Sequence, residues 1–238
     1  MSDSRRLGIL IQSAIFVSEA NRDAANSNST LELALNSFAA DTAEDAQGLL
    51  GYVRPKDDEA GSNNVFVPDE ENPYPSSVDW RERGAVTSVK NQGRCGCCWS
   101  ISVTGALEGA TAISSNFTWL KALSHQQLIS CDKAHKGCNG GFPAQAFDYA
   151  DDQGLAVWSD YPYTDGKTGE TTKDCTLKGK PIEVEAGEGY KVRDGLELVW
   201  ATLNMASLTA TLISFRSITM ARWGMTLTLC VWSVLSMH

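Results

Sequence analysis

Three cysteines crowd into Asn91-Gln92-Gly93-Arg94-Cys95-Gly96-Cys97-Cys98-Trp99-Ser100, a glycine-punctuated loop that turns apolar after the last of them. The thiolate is the nucleophilic form of cysteine, and local charge decides how much of it exists. After Cys98, the residues Trp99, Val103, Ala106, Leu107, Ala110 and Ile113 recur at helical spacing, which places Cys98 at a helix start. A helix N-terminus offers unpaired N–H groups and partial positive charge, both of which favour thiolate over thiol. A nucleophile there also needs a base and an oxyanion donor, and Gln92 in the same loop is a candidate donor. Two other readings compete: a buried structural cysteine, or a zinc knuckle built on Cys95, Cys97 and Cys98. Zinc pairs are spaced two to four residues apart and need a partner pair, which is not evident here.

The elements that must hold this loop follow from composition and punctuation. The chain has 238 residues, 42% of them hydrophobic and seven of them Trp, enough for a globular core. Its formal charge of −9 is uneven: residues 1–72 carry thirteen acids and five bases, leaving the remainder near neutral. With no basic patch, nucleic acid is excluded as a partner class. Seven cysteines, one of them isolated near the end, indicate an oxidising compartment. Asn-x-Thr sequons stand at Asn28 and Asn116. Gly140-Gly141 leave a backbone bare, so that an extended peptide can hydrogen-bond to it. Pro143 suits the first position of a helix over 144–153 that Gly154 stops, a purely structural role that competes with substrate contact. Residues 53–73, rich in Pro, Gly, Asn and acids, read as a linker.

The nucleophile loop resembles that of papain-like cysteine proteases, whose local signature is Cys-Gly-Ser/Ala-Cys-Trp/Tyr. Tyr74-Pro75-Ser76-Ser77-Val78-Asp79-Trp80-Arg81 resembles the mature N-terminus of that family, and Gly84-Ala85-Val86-Thr87 its continuation. Leu123-Ser124-His125-Gln126-Gln127-Leu128, Gly137-Cys138-Asn139-Gly140-Gly141 and Tyr161-Pro162-Tyr163 follow in the family's order. The resemblance implies an α+β fold in two halves, a helical left domain and a β-barrel right domain with the active site between them. It also implies a monomeric endopeptidase with no cofactor or metal, acting on protein or peptide substrates. Cys98 becomes the nucleophile and Gln92 the oxyanion-hole side chain. Gly140, Gly141, Phe142 and Pro143 wall the pocket for the second residue before the cut. The implied disulfides pair Cys95 with Cys138 and Cys131 with Cys175, where spacing alone allows three connectivities. Cys97 departs from the family, which has a small residue there; a second thiol beside the nucleophile is a site for oxidation. His125 stands where the family has Glu, and His135 lies in the Cys131–Cys138 loop; both are read as solvated surface histidines.

Residues 1–52 read as a partial inhibitory propeptide, the chain's own inhibitor, and 53–73 as the linker in which activation cleavage falls. Arg5-Arg6 and the interrupted apolar run from Leu7 to Val17 make a poor secretory signal, and fit an amphipathic helix of a clipped pro-segment better. The long helix that opens such propeptides is expected to be absent or shortened. Asn36-Ser37-Phe38-Ala39-Ala40-Asp41 resembles the recurring Asn-x-Phe-Ala-Asp of these segments, with Ala40 in the position of the Asp. The location implied is lysosomal, vacuolar or extracellular.

The peptidase-like stretch is read as 74–197, mainly the left half. From Leu198 the resemblance stops: the final 41 residues hold no acid, no proline, one glycine and four of the five methionines. The uncharged run 198–215 contains too many Ser, Thr and Asn residues for a membrane span, and no membrane partner is expected. Back-translating Leu212 to Met220 and regrouping from the third base permits Asp-Phe-Phe-Gln-Val-Tyr-Asn-Asn-Gly. That resembles the Phe-Gln-x-Tyr-x-x-Gly segment these proteases place before their catalytic His, and 198–238 is therefore read as out of frame. A catalytic His is expected roughly 130–150 residues after the nucleophile. His238 sits in that window but is the last residue, with no downstream Asn, and is not read as the base. The expectation is an endopeptidase inactive as written, or alternatively a non-catalytic, peptide-binding or inhibitory remnant.

Overall fold

The computed structural model describes residues 3–53, 78–177, 179 and 181–184. Most of the linker, the first residues of the expected mature N-terminus (74–77) and the tail 198–238 lie outside the described residues. Five α-helices are described: α1 (Asp3–Asn26), α2 (Ala43–Gln47), α3 (Cys98–Ser114), α4 (His125–Cys131) and α5 (Pro143–Gln153). A 3₁₀ turn, Gly137–Asn139, joins α4 to α5. Among the described residues there is no strand, only three isolated bridges, one of which pairs Tyr52 with Gly141 in parallel.

Helix α3 is the axis of the described residues after 78. Its positions Trp99, Val103 and Leu107, spaced four apart, lie on one stripe and pack on Leu123, Leu128, Ala146, Ala150, Leu155 and Val157. Each such side chain, taken from water, contributes about 1.5–3 kcal/mol. Helix α4 is short but capped: the Ser124 hydroxyl accepts from the Gln127 N–H at 3.1 Å. All seven of its residues are buried. Helix α5 starts on Pro143, whose missing N–H costs nothing at that position, and stops at Gly154 with φ 64°. Pro143 is buried at this helix start.

Two disulfides, Cys95–Cys138 and Cys131–Cys175, tie the nucleophile loop and α4 to the segments that follow them. Closing loops of 43 and 44 residues restricts the unfolded chain by about 4 kcal/mol each in the chain-entropy picture. Inside α3, Glu108 is buried and takes three donors: the Leu123 N–H at 2.7 Å, Lys90 Nζ at 2.7 Å and the Thr87 hydroxyl. A buried carboxylate is tolerable because every donor it needs is present.

Residues 3–26 form one continuous helix of 24 residues, where a helix of a clipped pro-segment was expected. The chain then returns along it, held by Asn21, which brackets the Leu33 backbone with two hydrogen bonds of 2.7 and 2.8 Å. Helix α2 is opened by a reciprocal Thr42–Asp45 capping box.

Candidate active site

Cys98 opens α3 and is half-buried, and Cys97 is the N-cap residue. Backbone N–H groups of Gly51, Trp99 and Cys98 itself favour its thiolate, as a helix start should. Burial outweighs them, and the thiol is pushed above its ordinary value. A helix start alone would lower the value; here the sulfur is also covered. Part of that cover is Gly51, whose backbone N–H acts on the thiol.

The segment around Gly51 engages the rest of the site. Gln92 is buried, and its Nε2 donates to Leu49 O at 2.9 Å and to Cys95 O at 3.0 Å, while its Oε1 has no partner. Gly141 donates its N–H to Gly51 O at 2.8 Å and accepts from the Val53 N–H at 3.0 Å. Tyr52 sets its ring edge-on to Phe142, centroids 5.9 Å apart. Cys98, Gln92, Gly140, Gly141 and Phe142 are thus brought together around one extended segment.

The glycines explain how closely that segment approaches. A Cβ on Gly51 would collide with the Gly96 carbonyl. At Gly140, where φ is +107°, a Cβ would meet Gly51 O at 2.8 Å and Val53 Cγ2 at 2.7 Å, on the side facing the extended segment. Gly141 has a different reason: its Cβ would run into Trp99 and His135, behind the backbone.

Both histidines correct the surface reading. His125 is only 2% exposed; its ring lies 4.4 Å from the Tyr163 ring, and neither ring nitrogen has a partner. Burial, with a smaller contribution from Lys90, lowers its pKa to about 3. The His135 ring is buried too, stacked on Trp99 at 4.6 Å with Nδ1 2.6 Å from an Asp132 carboxylate oxygen. Neither imidazole hydrogen-bonds Cys98. The sequence held one signal for His125: no charged residue occurs from Leu123 to Cys131, which does not suit a solvated helix.

Three contacts escaped sequence reasoning. Asp41, beside the Ala40 that replaces the expected Asp, has a buried side chain that pairs with Arg94 of the nucleophile loop and with Arg6 of α1. The Arg94 guanidinium also lies 5.5 Å from the Phe38 ring. Tyr163 donates its hydroxyl to Gln92 O at 2.6 Å and lies 3.3 Å from Cys97 Sγ. The Cys97 thiol, fully buried, is pushed up to about 12 by desolvation. Among the described residues no cluster of His, Cys, Asp and Glu could hold a metal ion.

Comparison with known proteins gives the site its context. The profile described as "Papain family cysteine protease" matches residues 74–220, more than half of the chain. The chain belongs to the papain family of cysteine proteases. It is 38% identical over 165 residues to digestive cysteine proteinase 2 of Homarus americanus, covering 68% of this chain and 50% of that protein. It is 41% identical over 140 residues to pro-cathepsin H of Mus musculus, covering 57% and 41%. The solved digestive procathepsin L2 of Tenebrio molitor superposes with a TM-score of 0.64 at 28% identity, covering 78% of this chain and 60% of that one. The chain thus spans about half the length of the curated relatives it matches. No helix among the described residues is long and apolar enough to cross a membrane.

Proposed function

We propose that the chain is the zymogen of a cysteine endopeptidase whose nucleophile is Cys98. The observation that carries the reading is the convergence of a helix-start thiol, a side-chain amide donor and a bare backbone edge on one extended segment. In the reaction, the Cys98 thiolate forms a C–S bond to the scissile carbonyl carbon. The oxygen takes up negative charge and accepts hydrogen bonds from Gln92 Nε2 and the Cys98 N–H. Collapse breaks the C–N bond, and the leaving amine takes its proton from a histidine that the frame as read does not supply. Gly140, Gly141 and Phe142 hold the acyl side of the peptide.

In this reading residues 1–52 are the inhibitory segment, with the cleavage linker at 53–73, the peptidase stretch at 74–197 and an out-of-frame tail at 198–238. Inhibition follows from direction. Residues 51–53 run parallel to Gly141 and present an N–H to the sulfur where a substrate would present a carbonyl carbon. Leu49 O meanwhile takes the Gln92 amide that the oxyanion would need. Route and substrates follow the family: protein or peptide substrates, a monomer, and a lysosomal, vacuolar or extracellular location.

The test is turnover of an unstructured protein by the chain read through with its frame shifted between about Gly195 and Leu212, set against its Cys98→Ser variant. Activity that survives in Cys98→Ser sinks the proposal. A second reading, a peptide-binding remnant that does not cut, is favoured by the absence, among the described residues, of any imidazole bonded to Cys98. Binding of an unstructured protein without turnover, even after the frame is shifted, would support it.

A further inference from the structure

We propose that Asn116 carries an N-linked oligosaccharide whose first sugar covers Phe117. Asn116-Phe117-Thr118 is a sequon that the peptidase reading does not use. It lies immediately past α3, and all three residues are exposed. The Phe117 N–H reaches back to Ala112 O at 2.7 Å and the Asn116 N–H to Ile113 O at 3.0 Å, so the turn closes the helix end. Helix closure accounts for Asn116 at φ 54°, since asparagine tolerates the left-handed region. It does not require an exposed aromatic ring at the next position.

Phe117 also has a positive φ, 61°, an uncommon conformation for a bulky side chain, and it is 42% exposed with no aromatic partner among the described residues. The carboxamide of Asn116 makes no hydrogen bond among the described residues, so a substituent on Nδ2 breaks nothing. Helix α3 spans 17 residues, and at about 1.5 Å per residue its far end lies about 25 Å from Cys98. A glycan at Asn116 therefore clears the peptide-binding edge. The two disulfides place folding in an oxidising compartment, where glycosylation of this motif also takes place.

The transfer needs a lipid-pyrophosphate-linked oligosaccharide as donor. An N–H bond of the carboxamide and the C1–O bond to pyrophosphate break, the N–C1 glycosidic bond forms, and the lipid pyrophosphate leaves with the proton. In the folded chain the Thr118 hydroxyl donates to Ser115 O at 2.7 Å, so addition precedes closure of this turn.

The experiment is expression of the full chain through the secretory route of a eukaryotic host, followed by mass mapping before and after peptide-N-glycanase. The expected result is a hexosamine-bearing peptide at position 116 that becomes aspartate on enzymatic release. Asn116→Gln and Thr118→Ala lose it, and Thr118→Ser retains it. Recovery of position 116 as unmodified asparagine from the exported chain overturns the proposal, most directly where Asn28 in the same molecules is glycosylated. Limited chymotrypsin should cut after Phe117 more slowly before glycan release than after it. Equal rates overturn the covering of Phe117.

Discussion

The buried histidine gives the most direct physical forecast. Folded, His125 binds a proton only near pH 3, because its ring is desolvated and faces Lys90 with no acceptor at either nitrogen. Unfolded, it binds one at about 6.5. Between those values the unfolded chain holds the extra proton, so stability falls as pH drops through 6.5 toward 3, at about 1.4 kcal/mol per pH unit. From pH 7 to 4.5 this one group should remove about 2–3 kcal/mol, or roughly 5–10 °C of melting temperature for a chain of this size. The assay is thermal unfolding followed by the fluorescence of buried Trp99, at both pH values, for the wild type and His125→Leu. Carboxylates titrate in both proteins, and their contribution cancels in the double difference. The expected result is a clearly smaller acid loss in His125→Leu. An equal loss, or a His125 resonance titrating near its ordinary value, would refute the reasoning.

Asp41→Ala should loosen the N-terminal segment by roughly 1.5–3 kcal/mol before screening, since two charge-assisted contacts go at once, raising the rate of Cys98 alkylation about tenfold or more. Added salt should act in the same direction. Gly141→Ala should lower stability by about 1–3 kcal/mol, because its Cβ meets Trp99 at 2.5 Å and His135 at 2.8 Å, and urea titration measures this. Gly140→Ala should instead speed Cys98 alkylation in the full chain, because its Cβ points into Gly51 and Val53.

Where the sequence carried a local rule, structure and reading agree. The apolar stripe after Cys98 marks α3, and Pro143 with Gly154 brackets α5. The reading failed where tertiary contact decides. His125 looks polar in sequence but lies in a helix buried on every side, against the Tyr163 ring. Asp41 is one residue out of motif register, and only the fold reveals that it reaches Arg94. The Cys98 thiol was expected to be lowered by its helix start, and burial reverses the sign. Glu108 shows the same limit, since no spacing rule predicts that Lys90 and the Leu123 N–H converge on it.

If Cys98 is the reactive thiol and the segment around Gly51 lies over it, its labelling depends on residues 1–53. The measurement is site-mapped labelling by a peptidyl epoxide, comparing the full chain with the chain after removal of residues 1–53. Label is expected on Cys98 alone, slow in the full chain and much faster after removal. Label on Cys97, or equal rates at Cys98 in the two forms, would contradict it.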